Sequence, residues 1–507
     1  MNASAVHRSV VILALLAGLP ACAPRVVRTL TPPENARGLD KRSPYLKAHM
    51  RDGRVYVLSR WAVDDGAGTV SGEGVLLGAD RRTLEQGPVA IPIGSVALFE
   101  TNVVQKSPAV AALAVITGIS AAVTGYCLAN TKACFGSCPT FYISDGERPR
   151  LQAEGFSASV APSLEARDLD ALYRAKPDGR RLEVRMTNEA LETHVVRYVR
   201  VLAARRPPGG RVFATQAGEL WQATQVSAPT SCTAAEGGCL DAVRDLDWNE
   251  RSSASDPDDL AARETMELDF GRVGGAPLGV VIGSRQTLLS TFLFYQGLGY
   301  MGRSATAWLS RLERGGAAAA RRLDGVRRAL GGIEVLVADP AGRWQRVGEV
   351  YETGPLATDV KILRLPAFPA GRLKVRLVLT KGNWRLDYVA LAHLGGRVDP
   401  ISLDPVEVRK GDVPVAVPAA GLTTLPGDEY RFAYELPPDP EGYELFLDTR
   451  GYYLEWMRDE WMADEDEALA TLLLRDPRRA LRLLAPEFKK REAEMEGMFW
   501  RSRYVRP

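Results

Sequence analysis

The chain has 507 residues, of which 46% are hydrophobic and 25% charged, so it can bury sizeable cores, and we expect two to four folded domains rather than a disordered chain. Lysine and arginine total 64 residues against 62 for aspartate and glutamate, which gives a formal net charge of +2. Because the opposite charges nearly cancel, the chain has no overall electrostatic field to attract nucleic acid or another acidic polymer. We therefore expect no nucleic-acid partner.

The first 22 residues have the layout of a secretion signal. His7 and Arg8 precede an apolar run over residues 10–19 that is too short to span a bilayer as a mature helix. The tetrad "LPAC" follows and ends at Cys22. It resembles the lipobox of bacterial lipoproteins, although Pro20 replaces the usual small or β-branched residue. The resemblance implies that Cys22 is joined to diacylglycerol and becomes an acylated N-terminus after cleavage.

This resemblance also implies a location. Two or more acyl chains hold a protein stably on a membrane. We therefore predict a lipoprotein signal over residues 1–22, a proline-bearing tether over residues 23–43, and a body in the bacterial cell envelope that faces an extracytoplasmic space, the periplasm. The alternatives are an uncleaved anchor and plain secretion.

Five further cysteines are expected to form disulfides, because nearby thiols become oxidised in the periplasm. One favoured bridge joins Cys134 and Cys138 across "FGS", where Cys127 could replace either partner. The other joins Cys232 and Cys239 across "TAAEGG".

Two other uses of the cysteines remain as alternatives. A redox-active pair of the thioredoxin type has two intervening residues rather than three, and the proline after Cys138 favours a loop over a helix N-terminus. A zinc site would need a fourth ligand beside three neighbouring cysteines. A structural disulfide is therefore the favoured interpretation.

Residues 44–240 are predicted to form a β-rich domain. Runs such as "GRVYVLSRWAV" and "RLEVRMTN" are short, apolar or alternating, and bounded by glycine or polar residues, as in antiparallel strands. An uncharged stretch interrupts the domain, and we predict a helix over residues 107–128. In one interpretation this helix is buried in the protein or dips into a membrane. In the other it spans a membrane, where its small residues would let helices approach closely.

Glu192 and His194 in this domain are the candidate catalytic residues. A carboxylate beside an imidazole is an acid–base arrangement, and Glu189 lies nearby in the sequence. The two side chains would share a face on a strand and diverge on a helix. A surface or capping role for the histidine is the alternative.

Residues 241–330 are predicted to form an acidic loop followed by a helical segment. Four side chains stand at the first, third, fifth and twelfth positions of an EF-hand-like calcium loop. They are Asp245, Asp247, Asn249 and Asp256. Glu250 occupies the sixth position, where such loops use glycine, so a solvated acidic loop is the favoured interpretation and a calcium site the alternative, and we expect no other cofactor.

Residues 331–440 are predicted to form an antiparallel β-sandwich, since "IEVLVAD", "VKILRL", "LKVRLVLT" and "WRLDYVAL" have a period of two. The tripeptide "KGN" is expected to join the last two strands as a hairpin. The phrase "VRLVLTKGNWRLDYVAL" resembles the closing hairpin of jelly-roll, galactose-binding-like modules. The resemblance implies carbohydrate or protein binding at loop tips. Trp344 and Trp384 are the candidate ligand-binding aromatics, with a core position as the alternative.

Residues 441–507 are predicted to be helical, because apolar residues recur at intervals of three and four. Tyr452, Tyr453, Trp456 and Trp461 would then form an aromatic stripe that either packs on the sandwich or binds a partner. Trp456 is the third candidate ligand-binding aromatic.

The predicted fold class is therefore α+β and multidomain, with a β-rich N-terminal domain, a helical middle segment, an antiparallel sandwich near residues 332–440 and a helical C-terminus. The sequence contains no GxSxG, HExxH, P-loop or SxxK motif. The lipobox, the uncharged helix and "KACFGSCPTFY" together resemble uncharacterised bacterial envelope lipoproteins. We expect a membrane-anchored binding or scaffolding protein with an envelope protein or glycan as partner. The alternative is an extracytoplasmic hydrolase acting on glycans or peptides.

Overall fold

The chain divides into two compact units, Met1–Asn130 and Thr131–Pro507. A computed structural model describes residues 25–50, 54–77, 83–105, 139–160, 162–189, 192–275, 277–302, 305, 325–351, 354–367, 370–419, 421–425, 427–455 and 465–505. Several predicted features lie outside the described residues: Cys22, the helix over residues 107–128, Cys127, Cys134, Cys138 and Trp456.

The described part of the first unit is one antiparallel sheet, sheet A. Its strands are β1 (Arg25–Thr31), β2 (Tyr45–Met50), β3 (Val55–Asp64), β4 (Thr69–Leu77), β5 (Thr83–Pro92) and β6 (Val96–Gln105), in the spatial order β1-β6-β2-β3-β4-β5. Short 3-10 helices lie at Pro33–Gly38 and Ile93–Ser95. The segment predicted as a tether contributes β1 to the sheet, and its Ala36 and Leu39 are buried in the core of this unit.

The second unit contains most of the strands and the described α-helices. Its first strands are β7 (Thr140–Ser144), β8 (Pro149–Glu154), β9 (Ala166–Ala171), β10 (Arg181–Thr187), β11 (Glu192–Arg205), β12 (Arg211–Ala214), β13 (Leu220–Ser227), β14 (Ser231–Ala234), β15 (Gly237–Gly238), β16 (Arg251–Ser252), β17 (Arg263–Val273) and β18 (Leu278–Gln286). The next are β19 (Ile333–Ala338), β20 (Trp344–Val350), β21 (Asp359–Arg364), β22 (Gly371–Thr380), β23 (Trp384–Arg397), β24 (Ile401–Leu403), β25 (Glu407–Lys410), β26 (Val413–Pro414), β27 (Leu422–Thr424), β28 (Glu429–Glu435) and β29 (Tyr443–Glu455). The helices are α1 (Leu288–Met301), α2 (Gly325–Leu330), α3 (Glu467–Arg475) and α4 (Pro477–Val505), with 3-10 helices at Pro162–Leu164, Leu240–Ala242 and Pro440–Gly442.

These strands form four sheets. Sheet B has the order β26-β25-β28-β10-β7-β8, and sheet C has the order β24-β11-β29-β9 with β27 also beside β11. Sheet D has the order β13-β12-β21-β18-β23-β16, and sheet E has the order β15-β14-β17-β22-β19-β20. The described pairings are antiparallel except for a short parallel contact between β12 and β21.

The four sheets are stacked in the order B, C, D, E. One hydrophobic cluster lies between sheets B and C, a second between C and D, and a third between D and E. Neighbouring residues of one strand therefore enter different cores: Val280 and Ile282 of β18 face sheet E, while Val281 faces sheet C. Strands of the two inner sheets are apolar on both faces for this reason.

The predicted α+β class is wrong, because the chain is a β-rich multidomain protein in which 52% of the described residues lie in strands and 18% in helices. The predicted helical middle segment contains β17 and β18, and the described helices there are only α1 and α2. The predicted C-terminal helix begins too early, since Tyr452 and Tyr453 belong to β29, the long central strand of sheet C.

The helical part of the second unit is small and packs into one cluster of its own. Phe292 of α1 contacts Phe488 of α4, with ring centroids 5.0 Å apart, and Leu473 of α3 lies in the same cluster. Glu496 of α4 accepts a hydrogen bond from the Leu288 N–H at the start of α1, at 2.8 Å. Among the described residues, we find no helix with the length and apolar character that a membrane crossing requires.

The expected hairpin at "KGN" is also wrong. The strands on either side of it, β22 and β23, lie in different sheets, E and D. The turn therefore carries the chain from one layer of the stack to the next. Gly382 adopts a φ of +70° in this turn, where a Cβ would lie 2.5 Å from the Ser255 backbone, so only glycine is accommodated.

Candidate functional site

The candidate site is a surface groove along β11, with a volume of about 690 Å³. Residues 196–200 of β11 form one wall, and residues 404–408 and 414–417 form the other, with Leu422 and Phe432 completing the lining. We call this feature the β11 groove.

The groove exists because β11 is paired unequally on its two edges. β29 pairs with β11 along residues 192–205. On the other edge, β27 pairs only with residues 194–196 and β24 only with residues 201–203. The β11 groove lies between these two short strands.

The chain between β24 and β27 explains the gap. After β24 it leaves sheet C, adds the hairpin of β25 and β26 to sheet B, and returns to sheet C as β27. Its return passes close to β11 at Gly421, where a Cβ would lie 2.3 Å from the Val196 carbonyl oxygen and φ is +94°. Glycine is therefore required at this crossing.

The floor of the groove belongs to the core between sheets B and C. Val199, Val408 and Phe432 are buried members of that cluster. The Tyr434 hydroxyl donates a hydrogen bond of 2.8 Å to the Val199 carbonyl, which satisfies a backbone group at the gap. The groove is thus an opening through which an apolar core reaches the surface.

The surroundings of the groove are unusually apolar for a protein surface. The described residues include seven strongly exposed large hydrophobic side chains, and four of them lie on the outer wall of the groove or within three residues of it in the sequence. They are Ile401, Val406, Val413 and Val417. Val406 is 68% exposed. A concentration of this kind is typical of an interaction surface, whereas single exposed residues are not.

The rim carries charges of both signs. The Arg200 Nε donates a hydrogen bond of 2.7 Å to Asp404, and the Arg197 Nε donates one of 2.9 Å to Glu165. Glu407 accepts a hydrogen bond of 3.3 Å from Arg181. The two carboxylates that line the groove, Asp404 and Glu407, are therefore both ion-paired with arginine.

Glu192 and His194 do share a face of a strand, since both lie on β11. A hydrogen bond of 2.8 Å joins Glu192 Oε1 and His194 Nε2, and both side chains are fully buried. Burial lowers the pKa of His194 to about 3, against the opposing effects of Glu455 and Asp428. A buried, neutral imidazole at pH 7 has no access to an external substrate in this arrangement.

The calcium-loop positions are engaged with protein partners. Asp245 pairs with Arg244, and Asp247 accepts the Asn249 N–H at 2.9 Å. Asp256 accepts two backbone N–H groups and lies 3.5 Å from the Lys381 ammonium. In the part of the chain that the structure describes, no group of three or more His, Cys, Asp or Glu is arranged to hold a metal.

The remaining candidate residues are two cysteines, which form a disulfide, and two tryptophans, of which one lies in a core and one is partly exposed. Cys232 and Cys239 are joined by a disulfide in the β14–β15 hairpin. Trp384 is 1% exposed and belongs to the core between sheets D and E. Trp344 is partly exposed at β20, where the Arg376 guanidinium lies 4.2 Å from its ring centroid.

Comparison with known proteins gives little guidance. No protein-family model matches the chain, and no curated protein matches it. A GH31 alpha-xylosidase from Xanthomonas citri is a solved structure to which the chain is 10% identical, with a TM-score of 0.15. That match covers 85% of this chain and only 38% of the xylosidase chain. A likeness at this level carries no argument about fold or activity.

Sequence reasoning missed the β11 groove. The one local signal is the run "VPVAVP" over residues 413–418, which is apolar yet contains two prolines. Proline removes backbone donors and confines strands to edges, so an apolar run of this composition indicates an exposed edge rather than a central strand. The position of residues 196–200 opposite this run depends on the crossing between sheets.

Proposed function

We propose that this chain is a lipid-anchored protein of the bacterial cell envelope that binds another macromolecule in the β11 groove. The lipobox at Cys22 supports the anchor and the extracytoplasmic location. One observation carries the binding role: an apolar core opens to the surface in a groove whose outer wall exposes Val406 and Val417, with Ile401 and Val413 exposed beside it in the same segment.

Binding fits the groove better than catalysis does. A hydrolase using carboxylates needs two of them positioned to act on the scissile bond. Asp404 and Glu407 are instead held by arginines, and the Glu192–His194 pair is buried. The wall is aliphatic, which favours burial of an apolar part of a partner.

Photo-crosslinking tests the proposal in cells. A photoreactive amino acid at Val406 or Val417 should give a discrete adduct, because both side chains are exposed at the groove. The matched control is Leu483, which is 56% exposed on α4. The substitution Ala416→Trp, which fills the groove from an exposed position, should reduce the adduct at Val406. Equal adducts at Leu483, or adducts unaffected by Ala416→Trp, would contradict the proposal.

A further inference from the structure

We infer that the ligand of the β11 groove is a short extended polypeptide segment that inserts an aliphatic side chain, presented by a partner protein. This inference rests on the binding role proposed above and adds the chemistry of the partner. It draws on the dimensions of the groove, its lining and the charges on its rim.

The dimensions fit a few residues of extended chain. The groove runs along five residues of β11, 196–200, and a strand advances by about 3.3 Å per residue, so its length is roughly 15 Å. Its volume of about 690 Å³ accommodates apolar side chains together with the backbone that carries them.

Side chains rather than strand addition would provide the contacts. The Val199 carbonyl already accepts the Tyr434 hydroxyl. On the opposite wall, the N–H of Val406 donates to the Ala433 carbonyl, and the N–H of Val415 donates to the Val408 carbonyl. With these backbone groups occupied, an incoming segment gains most by burying an aliphatic side chain against Val406 and Val417, the exposed aliphatic residues of the wall.

A glycan is a poorer fit, because sugars are recognised by stacking on aromatic rings that face the ligand. Tyr198 is the one aromatic residue on the groove walls, and the Arg200 guanidinium lies 4.5 Å from its ring centroid. The second aromatic residue of the lining, Phe432, is 2% exposed at the floor. Neither ring offers an open platform.

An anionic lipid is also a poorer fit, since its headgroup charge has one sign. The rim presents Arg197 and Arg200 on one wall and Asp404 and Glu407 on the other. These side chains are already engaged in ion pairs, Arg200 with Asp404, Arg181 with Glu407 and Arg197 with Glu165, so the rim has little net charge and suits a polypeptide, whose backbone is uncharged. The mixed rim therefore favours a segment of protein.

A peptide selection tests the inference. The full chain would be screened against phage-displayed random twelve-residue peptides, and enriched peptides would be titrated against the wild type and three variants. Ala416→Trp and Val406→Asp alter exposed side chains of the groove. Ala341→Trp is the matched control, because it also replaces an exposed alanine by tryptophan, but in the turn between β19 and β20.

We expect at least about tenfold weaker binding to Ala416→Trp and Val406→Asp, which corresponds to about 1.4 kcal/mol, and unchanged binding to Ala341→Trp. Serine in place of the aliphatic residue of the peptide should weaken binding similarly. Failure to enrich such peptides, combined with groove adducts identified by mass spectrometry as lipid or glycan, would overturn the inference and leave the proposed binding role intact. Absence of groove-specific adducts would instead overturn the proposed function.

Discussion

At the scale of single residues, the described chain contains a buried carboxylate whose environment raises its pKa. Asp387 of β23 accepts backbone N–H groups from Trp248 at 2.8 Å and from Asp247 at 3.2 Å. Trp248 has a φ of +71°, a left-handed conformation that bulky residues rarely adopt. The Arg174 guanidinium lies 4.0 Å from the Trp248 ring centroid. Asp387 thus holds a strained loop against sheet D.

The charge of Asp387 makes stability depend on pH. Burial raises the pKa of Asp387 from 3.8 to about 6, and Glu250 acts in the same direction. Between these two values the native state binds more protons than the unfolded state, so the free energy of unfolding falls as the pH rises through this window. Above the pKa of the folded state, Asp387 is ionised in both states, and the free energy of unfolding no longer changes with pH because of this group.

Asp387→Asn should therefore stabilise the protein at pH 7.5. The amide oxygen can still accept the Trp248 N–H, and the side chain no longer ionises. We expect a free energy of unfolding about 1 to 2 kcal/mol above that of the wild type at pH 7.5, after allowance for solvent screening, and little difference at pH 4. Urea unfolding at the two pH values measures this.

The control for this prediction is Asp245→Asn, an exposed carboxylate in the same acidic segment whose side chain is 66% exposed. It should not alter the difference between the two pH values. An Asp387→Asn variant that gains no stability at pH 7.5 relative to pH 4 would contradict the assigned cause.

Single residues also show which structural features the sequence predicts and which it does not. The shared face of Glu192 and His194 follows from the period of a strand. Their complete burial does not, because it depends on sheets B and D covering both sides of sheet C. The same limit applies to Trp344 and Trp384, since a strand pattern does not say which face of a sheet a second sheet covers.

At the scale of elements, β21, β22 and β23 were predicted as strands from their sequence pattern, although β21 and β23 lie in the inner sheet D, whereas β29 was not. In β22 the buried residues alternate with exposed or partly exposed ones over most of its length, and the sequence shows a period of two. In β29, nine of thirteen residues are buried, so no alternation remains. Its apolar run was therefore joined with the following helices into one predicted helical segment.

The disulfide is the second feature that acts at the scale of an element. Cys232 and Cys239 close the β14–β15 hairpin, and both are buried in the core between sheets D and E. The loop carries Glu236, which forms an ion pair of 2.7 Å with buried Arg251. Arg251 also pairs with Glu264 at 2.7 Å. The bridge therefore holds one member of a charged cluster in place.

Replacing both cysteines by serine should destabilise the second unit. In the chain-entropy account, closing a loop of this length contributes about 2 to 3 kcal/mol by restricting the unfolded state. We expect a loss of that size in urea unfolding, and we expect dithiothreitol to reproduce it in the wild type but to have no further effect on the double variant. A wild type indifferent to dithiothreitol and equal in stability to the variant would show that the thiols are unbridged in solution.

At the scale of the whole molecule, the sheets are assembled from distant segments of the chain. The neighbours in sheet C are β24, β11, β29 and β9, whose residues range from Ala166 to Glu455. The predicted domains in this part of the sequence were instead continuous segments, with boundaries where the composition changes. The strands of one layer are instead separated by strands of other layers, so sequence order does not identify which of them pair.

The same interleaving explains why the groove is a property of the whole second unit. Its walls come from β11 and from the segment after β24, more than two hundred residues apart in the sequence. Neither segment has a motif that identifies the other. Only the crossing of the chain from sheet C to sheet B and back brings them together.

The proposed lipid anchor would determine where this molecule acts, and Cys22 is the residue that tests it. Cys22→Ser removes the thiol that would carry diacylglycerol, so we expect loss of labelling by an alkyne fatty acid and a shift from the membrane fraction to the soluble fraction. Cys232→Ser is the control, because it removes a disulfide-bonded cysteine of the folded body and should leave labelling unchanged. Two acyl chains or more bind a membrane stably, so the wild type should resist extraction by high salt. A wild-type chain that takes up no label and fractionates with soluble proteins would refute the anchor, whereas the β11 groove could still bind its partner away from a membrane.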